Sequence, residues 1–157
     1  MPPRRAGPGR ALERGYDAVV VDVEDRLRAA LGRHEDVLVA YLFGSTARGT
    51  AGPMSDVDVA VLVKDEDDLA QRRLDLIGDV SSIVGSERAD VVLLNEAPVS
   101  LAYRVLRDGR LIVCRDEQAR VRHFVETVDR YLDMAPFREA LSSGVGHRVQ
   151  EGRFGRP

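Results

Sequence analysis

The stretch Phe43-Gly-Ser-Thr-Ala-Arg-Gly-Thr-Ala-Gly-Pro-Met-Ser-Asp-Val-Asp58 joins two apolar runs through a segment of glycine, proline and small polar residues. Before it stands Val37-Leu-Val-Ala-Tyr-Leu-Phe43, apolar and β-prone throughout. Lacking the polar alternation of a strand with one wet face, that run predicts a central strand of a sheet. After it, Asp56-Val-Asp-Val-Ala-Val-Leu-Val63 starts by alternating acid with apolar and then becomes wholly apolar. Its first residues therefore belong at the sheet's edge and the rest in the core.

Both ends of the segment carry chemistry. A glycine where a strand turns into a helix lets the backbone approach a ligand closely, and the following Ser45 can cap the helix or meet phosphate oxygens. Arg48 offers a side-chain donor to the same phosphates. Side chains two apart on a strand share a face, so Asp56 and Asp58 project together while Val57 points into the core. Two carboxylates so placed repel unless a cation lies between them, and hard oxygen ligands suit magnesium. Asp90 opens a second apolar run, Asp90-Val-Val-Leu-Leu94, and can supply a third carboxylate. Taken singly, Gly-Ser is an ordinary turn and the acids are solvated strand ends. Together, ten residues apart and with a third acid, they describe a two-metal phosphoryl or nucleotidyl transfer site.

Further from the motif, Val19, Val20, Val23, Leu27, Ala30 and Leu31 mark an amphipathic helix ending near Gly32. Leu74, Ile77, Val80, Ser81 and Val84 place a crossover helix over 69–84, between the two acid-led strands. Residues 99–107 predict a helix stopped by Gly109, and 111–114 a short strand. The last helix, about 117–141, carries Val121, Phe124, Val125, Val128 and Leu132 on one stripe, with Pro136 as a kink or break. The run Lys64-Asp-Glu-Asp-Asp68 reads as a solvated cap for the crossover helix.

The 157 residues, 44% hydrophobic and 31% charged, suit one domain that buries about two thirds of its unfolded surface. Residues 1–15 and 143–157, rich in Arg, Gly and Pro, read as disordered basic tails around a domain spanning 16–142. The net charge of −3 hides a body of −8 once +3 from residues 1–15 and +2 from 147–157 are set aside. So acidic a body argues against direct nucleic-acid binding, although the tails could meet an acidic partner or RNA. No apolar run approaches the ~20 residues that span a bilayer, and no apolar stretch follows the N-terminal arginines, so a cytoplasmic protein without membrane contact is expected. The single cysteine, Cys114, reads as a buried, inert thiol. His34, His123 and His147 lack metal-ligand spacing.

The pairing of Gly44-Ser45 with Asp56-Val-Asp58 resembles the signature of the DNA polymerase β-like nucleotidyltransferase superfamily. The compact form, with Gly44-Ser-Thr-Ala-Arg-Gly49 and Ser55-Asp-Val-Asp58, is similar to the minimal nucleotidyltransferases that act as antitoxins to HEPN ribonucleases. Asp90-Val-Val-Leu-Leu-Asn95, Leu101 to Val105, Arg107-Asp-Gly-Arg-Leu-Ile-Val113 and Arg130-Tyr-Leu-Asp133 resemble that group more loosely. The resemblance implies an α+β nucleotidyltransferase fold, with a mixed central β-sheet, flanking helices and a C-terminal helix. It also implies two magnesium ions held by Asp56, Asp58 and Asp90, and ATP as substrate, its triphosphate on Gly44 and Ser45. The implied reaction moves AMP onto a tyrosine of a HEPN toxin in a hetero-oligomeric complex, with Asp90 helping to activate that hydroxyl. Two alternatives stand beside it: nucleotidylation of a small molecule such as an aminoglycoside, and an antitoxin that acts by binding alone. The first usually needs an added helical domain for its acceptor, and only about fifty residues separate Asp90 from the basic tail.

Overall fold

The computed structural model describes residues 22–47, 56–64, 68–85 and 88–140. The readings made for the tails, and for Arg48, fall outside them. A helix α1 over 22–31 leads into β1 (Val37–Phe43), a one-turn α2 (Gly44–Ala47) and β2 (Val57–Val63). Then follow α3 (Leu69–Val84), β3 (Ala89–Leu93), α4 (Val99–Asp108), β4 (Arg110–Cys114) and α5 (Glu117–Asp133), with a last helical segment α6 over 135–140. The four strands lie in the order β3-β2-β1-β4. β1 is antiparallel to both its neighbours, and β2 is parallel to β3 through the α3 crossover, so the sheet is mixed, as expected.

Period-2 alternation along the strands divides the core into two layers. Val57, Val59, Val61 and Val63 of β2 turn to one face, with Val91 and Leu93 of β3, and pack under Leu27 and Leu31 of α1 and Leu76 and Val80 of α3. Ala60 and Leu62 turn to the other, with Val39 and Tyr41 of β1, beneath Ala102 and Val105 of α4 and Ala119 of α5. Asp58 has the parity of Ala60 and Leu62, so it opens on the α4/α5 face. Asp68 caps α3 by accepting from the Gln71 amide at 2.9 Å, as the acidic run before it suggests. Leu74 departs from the sequence reading: it is 60% exposed, and Leu76 takes the core position. Asn95, just past β3, brackets the end of β2 by accepting from the Val63 amide at 3.0 Å and donating to its carbonyl at 2.8 Å.

Two further readings are corrected. Cys114 ends an edge strand and is exposed; partial desolvation and the neighbouring Glu117 carboxylate raise its thiol pKa, so it stays protonated. In α5 the expected apolar stripe faces outward, with Val121, Phe124, Val125 and Leu132 each more than 40% exposed. The helix buries Ala119 and Thr127 instead. It stops at Met134, and Pro136 falls in the first turn of α6, where a missing amide hydrogen is tolerated. Among the described residues no helix is long and apolar enough to cross a membrane.

His123, on the inward side of α5, has its pKa lowered by burial, a shift that Glu126 opposes. The fold therefore favours the neutral imidazole. That contribution is complete above about pH 6.5 and is lost as pH falls below it, because the unfolded chain then binds the proton more readily. Melting curves at pH 7.5 and 5.5 should show a smaller acid-induced drop in Tm for His123→Leu than for the parent chain.

Candidate active site

The carboxylates come from two adjacent strands held in register. In the parallel ladder Asp58 of β2 stands opposite Asp90 of β3, and in the antiparallel ladder it stands opposite Phe43, the residue before the turn. Asp58 is half-buried, whereas Asp90 is exposed at the start of the edge strand. Asp56 lies one residue before β2, exposed, and by strand parity projects on the same side as Asp58. Asp56, Asp58 and Asp90 thus share one corner of the sheet, on the α4/α5 face. No three acidic, imidazole or thiol side chains among the described residues converge as they would around an ion. The donor set still fits hard cations: oxygen ligands only, on neighbouring strands, with two of the three open to solvent.

Gly44 adopts φ +71°, in the left-handed region where a side chain is strained. A Cβ there would overlap Oδ2 of Asp58 and lie 3.1 Å from its Cγ. The turn therefore brings bare backbone directly against the acid, and only glycine permits that approach. Ser45 follows, half-buried, as the second residue of α2.

Two residues that the motif reading passed over help to shape this corner. Thr46, 8% exposed, donates from Oγ1 to the Asp56 carbonyl at 3.1 Å, tying α2 to the start of β2 across the ten-residue gap. Its signal lay in plain view as a hydroxyl inside the motif. Arg73 of α3 donates from Nε to the Val91 carbonyl at 2.8 Å, and its Nη2 stands 3.8 Å from Oδ1 of Asp90. It hooks the exposed edge of β3 and partly neutralises the third carboxylate. With both side chains about half exposed, the ion pair is worth little to stability. No local pattern marks a residue that reaches the site from another element.

Around the sheet's other end, Glu117 at the start of α5 is held down to about 2 by hydrogen bonding to Arg120, which also bonds the buried Tyr41. This cluster fastens α5 to β1 and stands apart from the acids.

The chain matches the family model described as polymerase beta, nucleotidyltransferase, over residues 25–118. No curated protein matches it. Among solved structures it is similar to a chain of a toxin-antitoxin crystal structure with AMP-PNP, at 28% identity and a TM-score of 0.68, covering 78% of this chain and 97% of that one. It is also similar to a chain of the complex of the tri-AMPylated Shewanella oneidensis HEPN toxin with MNT antitoxin, at 25% identity and a TM-score of 0.64, covering 80% and 98%. A chain of the MntA-HepT toxin-antitoxin structure gives 26% and 0.62, covering 78% and 96%.

Proposed function

We propose, since the chain belongs to the polymerase β nucleotidyltransferase family, that it transfers AMP from ATP to a tyrosine hydroxyl of a partner HEPN ribonuclease and so serves as that toxin's antitoxin. The observation that carries the reading is the in-register pair Asp58 and Asp90 with the Gly44 backbone pressed against Asp58. That arrangement sets an acidic edge, of a kind that suits hard cations, beside a backbone turn able to meet phosphate. The similar solved structures, one with AMP-PNP and one with an AMPylated HEPN toxin, support the choice of nucleotide and acceptor.

Asp56, Asp58 and Asp90 are the residues that would hold magnesium, which when bound neutralises the charge of the leaving pyrophosphate and favours ionisation of the acceptor. Gly44 and Ser45 receive the triphosphate, and Arg48 adds a cationic donor to it. Asp90, exposed on the edge strand, is reachable by an incoming hydroxyl and takes its proton. The acceptor oxygen forms its bond to the α-phosphorus as the bond to the bridging pyrophosphate oxygen breaks. The reaction belongs in the cytoplasm, where ATP and the toxin meet.

Incubation with labelled ATP, magnesium and a HEPN protein encoded by a neighbouring gene should place label on a tyrosine of that protein, located by peptide mass spectrometry. Label on an aminoglycoside from a test panel, with none on protein, would overturn the reading.

A further inference from the structure

Helix α5 is amphipathic in the reverse sense. Its inward side is polar: Arg122, His123, Glu126, Thr127 and Arg130 line a cleft of about 520 Å³ against the ends of β2 and β3. Its outward side is apolar, with Val121 46%, Phe124 42%, Val125 49% and Leu132 60% exposed and Val128 half-buried. At 100° per residue, Val121, Val125, Val128 and Leu132 fall within an arc of about 60° and form a straight ridge about 16 Å long. Met134 and Phe137, 41% and 61% exposed, prolong it past the helix end. A continuous apolar ridge on an otherwise charged surface marks an interaction site rather than scattered exposure.

We infer that this ridge docks an amphipathic helix of the protein whose hydroxyl is modified, a helix with an apolar face flanked by lysine or arginine. The inference rests on the function proposed above. Three observations select that occupant. The spacing of the ridge, at i, i+4, i+7 and i+11, is that of side-chain rows that interlock with another helix. One flank carries Asp129, exposed and without an ion pair among the described residues, which calls for a basic neighbour. A second copy of this chain would bring the same acidic flank and a body of charge −8. Finally, α5 stands on the sheet face on which Asp58 and Asp90 open, so a protein seated on it lies on the same side as the acids.

The test uses the full chain and its HEPN partner. Val125→Asp combined with Leu132→Asp should weaken the complex by about a hundred-fold or more in titration calorimetry. Transfer of label to the partner at limiting concentration should fall with it, while binding of a nonhydrolysable ATP analogue to the free chain is unchanged. Asp129→Lys should weaken the complex through charge alone, and Leu74→Asp, exposed on the opposite layer, should leave it intact. Parent-like affinity in the Val125/Leu132 variant would overturn the inference even if labelling of the partner upholds the proposed function. Loss of complex in that variant, with no label transferred by the parent chain, would sink the catalytic reading and keep the docking surface. A dimer of the free chain that the variant dissolves without altering partner binding would assign the ridge to self-association. Exchange protection of the ridge that disappears on deleting residues 141–157 would assign it to the chain's own terminus.

Discussion

Gly44→Ala should lower nucleotidyl transfer on the order of 10²-fold and lower Tm by about 2–8 °C. The stability loss comes from the backbone, because a left-handed conformation costs an L-residue about 1–2 kcal/mol, equivalent to that shift in a chain of this size. The larger loss in rate comes from the neighbour. The new methyl group would occupy the space of Asp58 Oδ2, so either the carboxylate rotates away or the turn retreats from it. Each response separates the acid from the backbone proposed to bind phosphate, and misplacement by about 1 Å near reacting groups costs that order of rate. Differential scanning fluorimetry beside a transfer assay separates the two effects. Parent-like transfer in a variant that melts lower would show that the contact of Gly44 with Asp58 is structural only.

Asp56→Asn combined with Asp58→Asn should reduce transfer by at least about 10³-fold. Asparagine keeps the shape of aspartate but removes the charge that would hold the proposed divalent cation, and several kcal/mol of transition-state stabilisation would go with it. The fold should survive, because Asp56 is exposed and the hydrophobic cores lie elsewhere. Circular dichroism and partner binding check that point. The comparison with toxicity is decisive: a variant that binds the partner, transfers nothing and leaves cells unprotected establishes transfer as the neutralising event. Full protection by the same variant would make stoichiometric binding the mechanism.

What the sequence displays well is whatever is written along one strand. The apolar run of β1, the acid-led starts of β2 and β3 and the α3 crossover are local patterns, and the fold contains all of them. The same period-2 logic sets Asp56 and Asp58 on one side. Contacts between elements are silent in such patterns. Arg73 lies eighteen residues from the carbonyl it hooks, and nothing around it distinguishes it from its neighbour Arg72, which instead pairs with Asp36 at 2.5 and 2.6 Å. The outward ridge of α5 was visible as a stripe, yet periodicity gives a stripe no direction. Which side meets the sheet was decided by Ala119 and Thr127, small enough for close approach, rather than by the larger apolar residues.

The hydrogen bond from Thr46 to the Asp56 carbonyl, with Phe43 paired to Asp58 behind it, clamps both ends of the intervening segment independently of what lies between. Once the ends are clamped, lengthening the segment costs stability only logarithmically, about 0.6 kcal/mol for each doubling. Substitutions at residues 49–55 should therefore leave the acids undisturbed.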